Sequence, residues 1–98
     1  MYSWELKGDM LAYYLNQFGF DGLKKDNYKD LAELLGTSES SLKARIQNVR
    51  NVLDDSVGLS HAARQTKSIV PFLEGVKDVS KGQKEFKELL KDFLNDSL

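Results

Sequence analysis

The chain has 98 residues, no cysteine, one histidine and a formal net charge of −1. That length fits one domain with one modest core, and the 41% hydrophobic share is ordinary for a globular protein. The absence of cysteine excludes a disulfide framework and thiolate metal sites, and no apolar run has signal-peptide or membrane length, so the chain reads as soluble and cytoplasmic with no membrane partner.

Leu11, Tyr14, Leu15 and Phe18 recur at the three-and-four spacing of an amphipathic helix, with Trp4 and Leu6 as earlier members of the same face. Gly19 and Gly22 end it, with "GFDG" as a turn. Asp26 or Asn27 is suited to cap a second helix over 28–35, with Leu31, Leu34 and Leu35 inward. Gly36 stands where a left-handed C-cap belongs. Thr37 and Ser38 are cap candidates for a third helix from about Glu39 to Leu53, with Leu42, Ile46, Val49 and Leu53 as its inner stripe. Glu39 lies in its first turn, where negative charge suits the helix dipole.

"DDSVG" reads as a loop and "LSHAARQ" as a short helix after Ser60. Pro71, the only proline, would disrupt a helix interior, so a separate helix capped by Ser68 is expected, with Pro71 in its first turn. The last helix, over about 81–95, puts Phe86, Leu89, Leu90, Phe93 and Leu94 on one side, with a Lys84–Glu88 pair on a charged outer face. No segment has strand period and no repeat is visible. The expectation is an all-α bundle of about five helices spanning 1–98 as one domain, with a helix-turn-helix-like pair over 28–53.

Charge is unevenly spread. Residues 1–36 carry four lysines against six acids, a net of −2, and residues 71–98 carry five lysines against six acids, a net of −1. Residues 37–70 carry Lys43, Arg45, Arg50, Arg64 and Lys67 against Glu39, Asp54 and Asp55, a net of +2, and hold all three arginines. A small basic face on a nearly neutral protein follows, of the kind that meets phosphates.

A helix-turn-helix needs a small residue in its first helix, a turn residue tolerant of positive φ, and apolar residues that lock the pair. Ala32, Gly36 and Leu42 meet those needs, while Thr37 stands where an apolar residue is usual. Arg45 stands where the second helix would usually turn inward, a role that Ile46 takes. On a wheel centred on Leu42, the residues Ile46, Val49 and Leu53 lie within about 40°. Ser40, Ala44, Gln47 and Asn51 lie opposite, edged by Lys43 and Arg50 on one side and by Ser41 and Asn48 on the other. Amide side chains pair with bases, Lys and Arg hold phosphates, and alanine lets a helix approach a groove closely.

Three stretches, "SWELKGDMLAYYLNQF", "NYKDLAELLGTSESSLKARIQNVRNVLD" and "GLSHAARQTKSIV", together resemble the helical amino-terminal domain that precedes the HNH nuclease module in some restriction-type endonucleases. The shared pattern is a tryptophan-led first helix, a leucine-rich segment ending in Leu-Gly, a Ser/Thr turn, a helix with a late Asn before an apolar residue, then Gly-Leu-Ser, over about residues 3–70. The resemblance implies an all-helical domain tied to DNA recognition in restriction or mobile-element biology. By position it places Ser40, Ser41, Lys43, Arg45 and Asn48 in the signature helix and Gly58, Leu59 and Ser60 in the loop beyond. Nothing of the nuclease follows, because an HNH site needs at least two histidines and His61 is alone. The chain is then either a domain of a larger enzyme or a free-standing, phage-encoded protein that kept the fold without the chemistry.

The expected DNA contacts are Ser40, Ser41, Lys43, Arg45, Gln47, Asn48, Arg50, Arg64 and Lys67, on double-stranded DNA. Each has a plainer reading. Lys43, Gln47 and Arg50 can be a solvated helix face, and Arg45 and Asn48, near the core boundary, can serve structure. Trp4, Tyr13 and Tyr14 fit a core better than a base-stacking platform, and Glu85, Glu88 and Asp92 alternate with lysines as a mixed-charge surface does. No catalytic residue, metal site or cofactor is expected, since there is no glycine-rich phosphate loop, no paired ligand motif and no base beside a nucleophile. The competing function is a protein-binding module or inhibitor of a nucleic-acid enzyme, or a homodimer, docking through the carboxy-terminal helix at an exposed edge of Phe86, Phe93 and Leu94.

Overall fold

The computed structural model describes residues 6–54 and 64–97. Five helices follow in order, α1 (Leu6–Phe18), α2 (Tyr28–Leu35), α3 (Glu39–Asp54), α4 (Arg64–Val79) and α5 (Gln83–Ser97), with no strand among the described residues. The protein is all-α. None of these helices is long and apolar enough to cross a membrane. Trp4, the "DDSVG" loop after Asp54, and Gly58 to Ala63, including His61, lie outside the described residues.

The chemistry of the α2–α3 connection is local. Asn27 sits in extended backbone and its side-chain oxygen accepts from the Asp30 amide at 2.8 Å, which satisfies a free donor at the start of α2. Gly36 takes φ +82°, and the Gly36 and Thr37 amides turn back to the carbonyls of Glu33 and Ala32 at 3.0 and 2.9 Å. This paired closure ends α2 and satisfies carbonyls that would otherwise be orphaned. Ser38 then caps α3, its Oγ accepting from the Ser41 amide at 3.1 Å. Gly36, Thr37 and Ser38 are the whole connection.

α3 is the central helix, packed on α1, α2 and α4, while α1 also packs on α4 and α5. Leu11, Tyr13, Tyr14, Leu31, Leu42, Val49, Val70, Leu73, Phe86 and Leu94 form the interior. Tyr13 meets Phe86 edge-on, with ring centroids 6.1 Å apart. Tyr13 and Tyr14 are thus core residues. The Tyr13 hydroxyl is buried with no hydrogen-bond partner among the described residues, and burial first, then the Glu74 carboxylate, push its pKa up.

The α1–α2 connection is clasped by α5. The Tyr14 hydroxyl donates to the Asp21 carbonyl, and Lys87 pairs with the Asp21 carboxylate. Asn95 donates to the Gly22 carbonyl at 3.1 Å and accepts from the Lys24 amide at 3.3 Å. Gly22 has φ +84°, and a Cβ there would come within 2.6 Å of the Lys91 side chain.

Several expectations change. Residues 64–79 form one helix, with Pro71 in its interior rather than in the first turn of a second. The buried stripe Thr66, Ile69, Val70 and Leu73 runs past the proline, so packing holds the helix together. Pro71 and Lys67 are exposed, so water can satisfy the Lys67 carbonyl that loses its amide donor. Ser68 bonds back to the Arg64 carbonyl at 3.3 Å within that helix and caps nothing. α5 starts at Gln83 rather than Lys81, and Glu88 pairs with Lys91 at 2.6 Å instead of with Lys84. Leu34, expected inward, is 44% exposed, and Leu6 is exposed as well. Phe86 and Leu94 are fully buried, so the exposed apolar edge of α5 consists of Leu89 (53%) and Phe93 (45%).

Candidate nucleic-acid interface

The nine residues expected to meet DNA separate into an inner and an outer group. Arg45 belongs inside. It is 8% exposed and its guanidinium forks onto Asp9 of α1, with Nε to Oδ1 at 2.7 Å and Nη2 to Oδ2 at 2.9 Å. The same carboxylate accepts from Thr66 Oγ1 at 2.8 Å and from Gln65 Nε2 at 2.5 Å, both on α4. Asp9 is fully buried, and four donors use its acceptor positions. This cluster ties α1, α3 and α4 together, so Arg45 is withdrawn from the expected DNA contacts. Burial forces the pairing, because a buried charge without a partner is costly.

The outer group lies on the solvent side of α3. Ser40, Lys43, Ala44, Gln47 and Arg50 are exposed, and Ser41, Asn48 and Asn51 are half-buried. Their positions follow from the buried stripe of Leu42, Ile46 and Val49 on the opposite side. Lys43 lies on the edge toward α2, its Nζ 5.4 Å from the centroid of the Tyr28 ring and 3.8 Å from Glu39. Both contacts are exposed and weak, so the ammonium remains available to another anion. Arg50, on the same edge, donates a long bond to Gln47 Oε1 at 3.4 Å, its one side-chain hydrogen bond among the described residues. Gln47 Nε2 donates in turn to Asn51 Oδ1 at 3.0 Å. Ser38 Oγ lies 2.9 Å from Ser41 Oγ and 3.3 Å from Ser40 Oγ.

Arg64 and Lys67 are exposed on the first turn of α4. Gln65 and Thr66 beside them reach Asp9 together with Arg45, which fixes the start of α4 on the Arg45 side of α3. Lys43 and Arg50 lie on the α2 side. The exposed cations of α3 therefore stand on its α2 side, beside small and amide side chains, and Arg64 and Lys67 are exposed at the start of the helix that packs on its Arg45 side.

The residue missed by sequence reading is Asp9, together with its α4 partners Gln65 and Thr66. A signal existed: Asp9 falls one turn before Ala12 and Tyr13 on the core face of α1, and Arg45 falls one turn from Leu42 and Val49 on that of α3. Two opposite charges at core positions imply each other. No group of three or more His, Asp or Glu residues among the described residues is arranged to hold a metal ion. Comparison of the chain with protein-family models, with curated proteins and with solved structures gave no match.

Proposed function

We propose that the chain is a non-catalytic DNA-binding module of restriction or mobile-element type, in which α2 and α3 act as a helix-turn-helix-like pair and α3 contacts double-stranded DNA. The observation that carries this reading is the outer face of α3, where exposed Ser40, Ala44 and Gln47 are edged by Lys43 and Arg50, with Arg64 and Lys67 exposed on the first turn of α4. A helix entering a groove meets base edges along its centre line and phosphates on its flanks. The three-residue connection and the buried Asp9–Arg45 cluster support it, because a helix that reads DNA needs a rigid mount. Ser41 and Asn48, half-buried at the α4 edge, serve as secondary contacts.

The test is binding of a fluorescent duplex across a salt series. Phosphate neutralisation gives a log–log slope of roughly −0.9 per contact, so the four cations give about −3.6. The double variant Lys43→Ala/Arg50→Ala should lower the magnitude of the slope by about two. Absence of binding at low salt contradicts the reading.

A second reading is a protein-interaction module, favoured by the exposed Leu89 and Phe93, one turn apart on α5. Its partner is a second copy of the chain or the surface of a nucleic-acid enzyme. Sedimentation of wild type and Leu89→Lys separates the dimer from a monomeric DNA binder.

A further inference from the structure

The centre line of the outer face of α3 runs Ser40, Ala44, Gln47, Asn51, and among its exposed members only Gln47 is long. Ser40 and Ala44 let the backbone come close to a ligand, and Gln47 extends beyond them. Its amide has a neighbour at each end. Arg50 can only donate, so the atom it meets at 3.4 Å is the Gln47 oxygen, and the Gln47 nitrogen then faces Asn51 Oδ1 at 3.0 Å. A carboxamide has two donor hydrogens and two acceptor lone pairs. One of each is used within the helix, and one of each remains. The Gln47 amide is thus biased in direction by its neighbours on the helix and keeps one donor and one acceptor for a ligand.

That pairing matches one base edge in the major groove. Adenine presents an acceptor at N7 beside a donor at N6, and an amide meets both at once. Guanine presents two acceptors, which an amide cannot satisfy together. We infer that Gln47 is a specificity-determining residue that reads adenine in the major groove of duplex DNA, with Arg50 and Asn51 as positioning residues that orient its amide. The inference rests on the DNA-binding reading above and adds to it the base that is read.

The experiment compares a fluorescent A·T-rich duplex with the same duplex carrying 7-deazaadenine. That analogue keeps base pairing and the minor groove but replaces the N7 acceptor with a C–H. Wild type should bind the unmodified duplex about tenfold more tightly. Gln47→Ala should bring that ratio close to one while leaving the salt slope unchanged. Asn51→Ala should lower the ratio, again without a change of slope, which a loss of folding would not produce. Gln47→Glu keeps only acceptors and should shift preference toward duplexes rich in C·G, whose cytosine N4 donates. Salt-dependent binding of wild type with no discrimination between the two A·T duplexes overturns this inference and leaves the DNA reading intact, as does discrimination that survives in Gln47→Ala. Failure to bind any duplex at low salt overturns both.

Discussion

The two sides of α3 each carry an arginine, five positions apart, with opposite fates. Arg45 is buried and forked onto Asp9. Arg50 is exposed and holds one long bond to a neighbouring amide. In the sequence both count equally toward the +2 of residues 37–70. In the fold Arg45 is neutralised by an acid from the first third of the chain, so the basic surplus on the surface of the middle third is smaller by one charge. The charge that remains there belongs to side chains the core does not need, and those are free to serve a ligand.

Breaking the inner side should have the largest effect. Asp9→Ala leaves a buried guanidinium without its carboxylate and should lower stability by about 3–5 kcal/mol in chemical denaturation, against a change within about 0.5 kcal/mol for Arg50→Ala. Comparable losses in the two variants would erase the distinction. Gly36→Ala, at φ +82°, should lower stability by about 1–2 kcal/mol, because an L side chain in the left-handed region is strained.

Tyr13→Phe should raise stability by about 1 kcal/mol, since it removes a buried hydroxyl with no hydrogen-bond partner of normal geometry among the described residues. The same variant sharpens a pH argument. Burial and Glu74 raise the Tyr13 pKa from 10.0, so its neutral form is favoured in the folded state. That contribution is fully present below about pH 10 and is lost as the pH rises toward the folded-state value. Wild type should weaken in that alkaline range more than Tyr13→Phe does. The smallest stability effect belongs to Lys43→Ala/Arg50→Ala, within about 0.5 kcal/mol of wild type, even as its DNA salt slope falls.

Much of this architecture is legible in the residues. The bounds of α2, the Asn27 cap and the Gly36 turn follow from short-range chemistry, and the sequence carries it openly. The inner stripe of α3 follows from periodicity. Pro71 misled because local propensity favours a break, whereas the buried stripe of α4 continues through it. Leu34, Phe86 and Leu94 misled because periodicity gives the apolar side of a helix but not how far a neighbour covers it. Asp9 and Arg45 lie 36 positions apart, and only the packing of α1 on α3 brings them together. On the outer face, the wheel placed Lys43, Gln47 and Arg50 outward, and the structure adds the hydrogen bonds of the Gln47 amide to Arg50 and Asn51.

The most direct measurement of the central claim is a nitrogen–proton NMR titration of the folded domain with a short duplex. The account predicts perturbations concentrated at Ser40, Lys43, Gln47, Arg50, Arg64 and Lys67, with the Arg45 side-chain Nε signal unmoved because Asp9 holds it. Perturbations confined to the Leu89 and Phe93 edge of α5, or a spectrum unchanged at low salt, would contradict it.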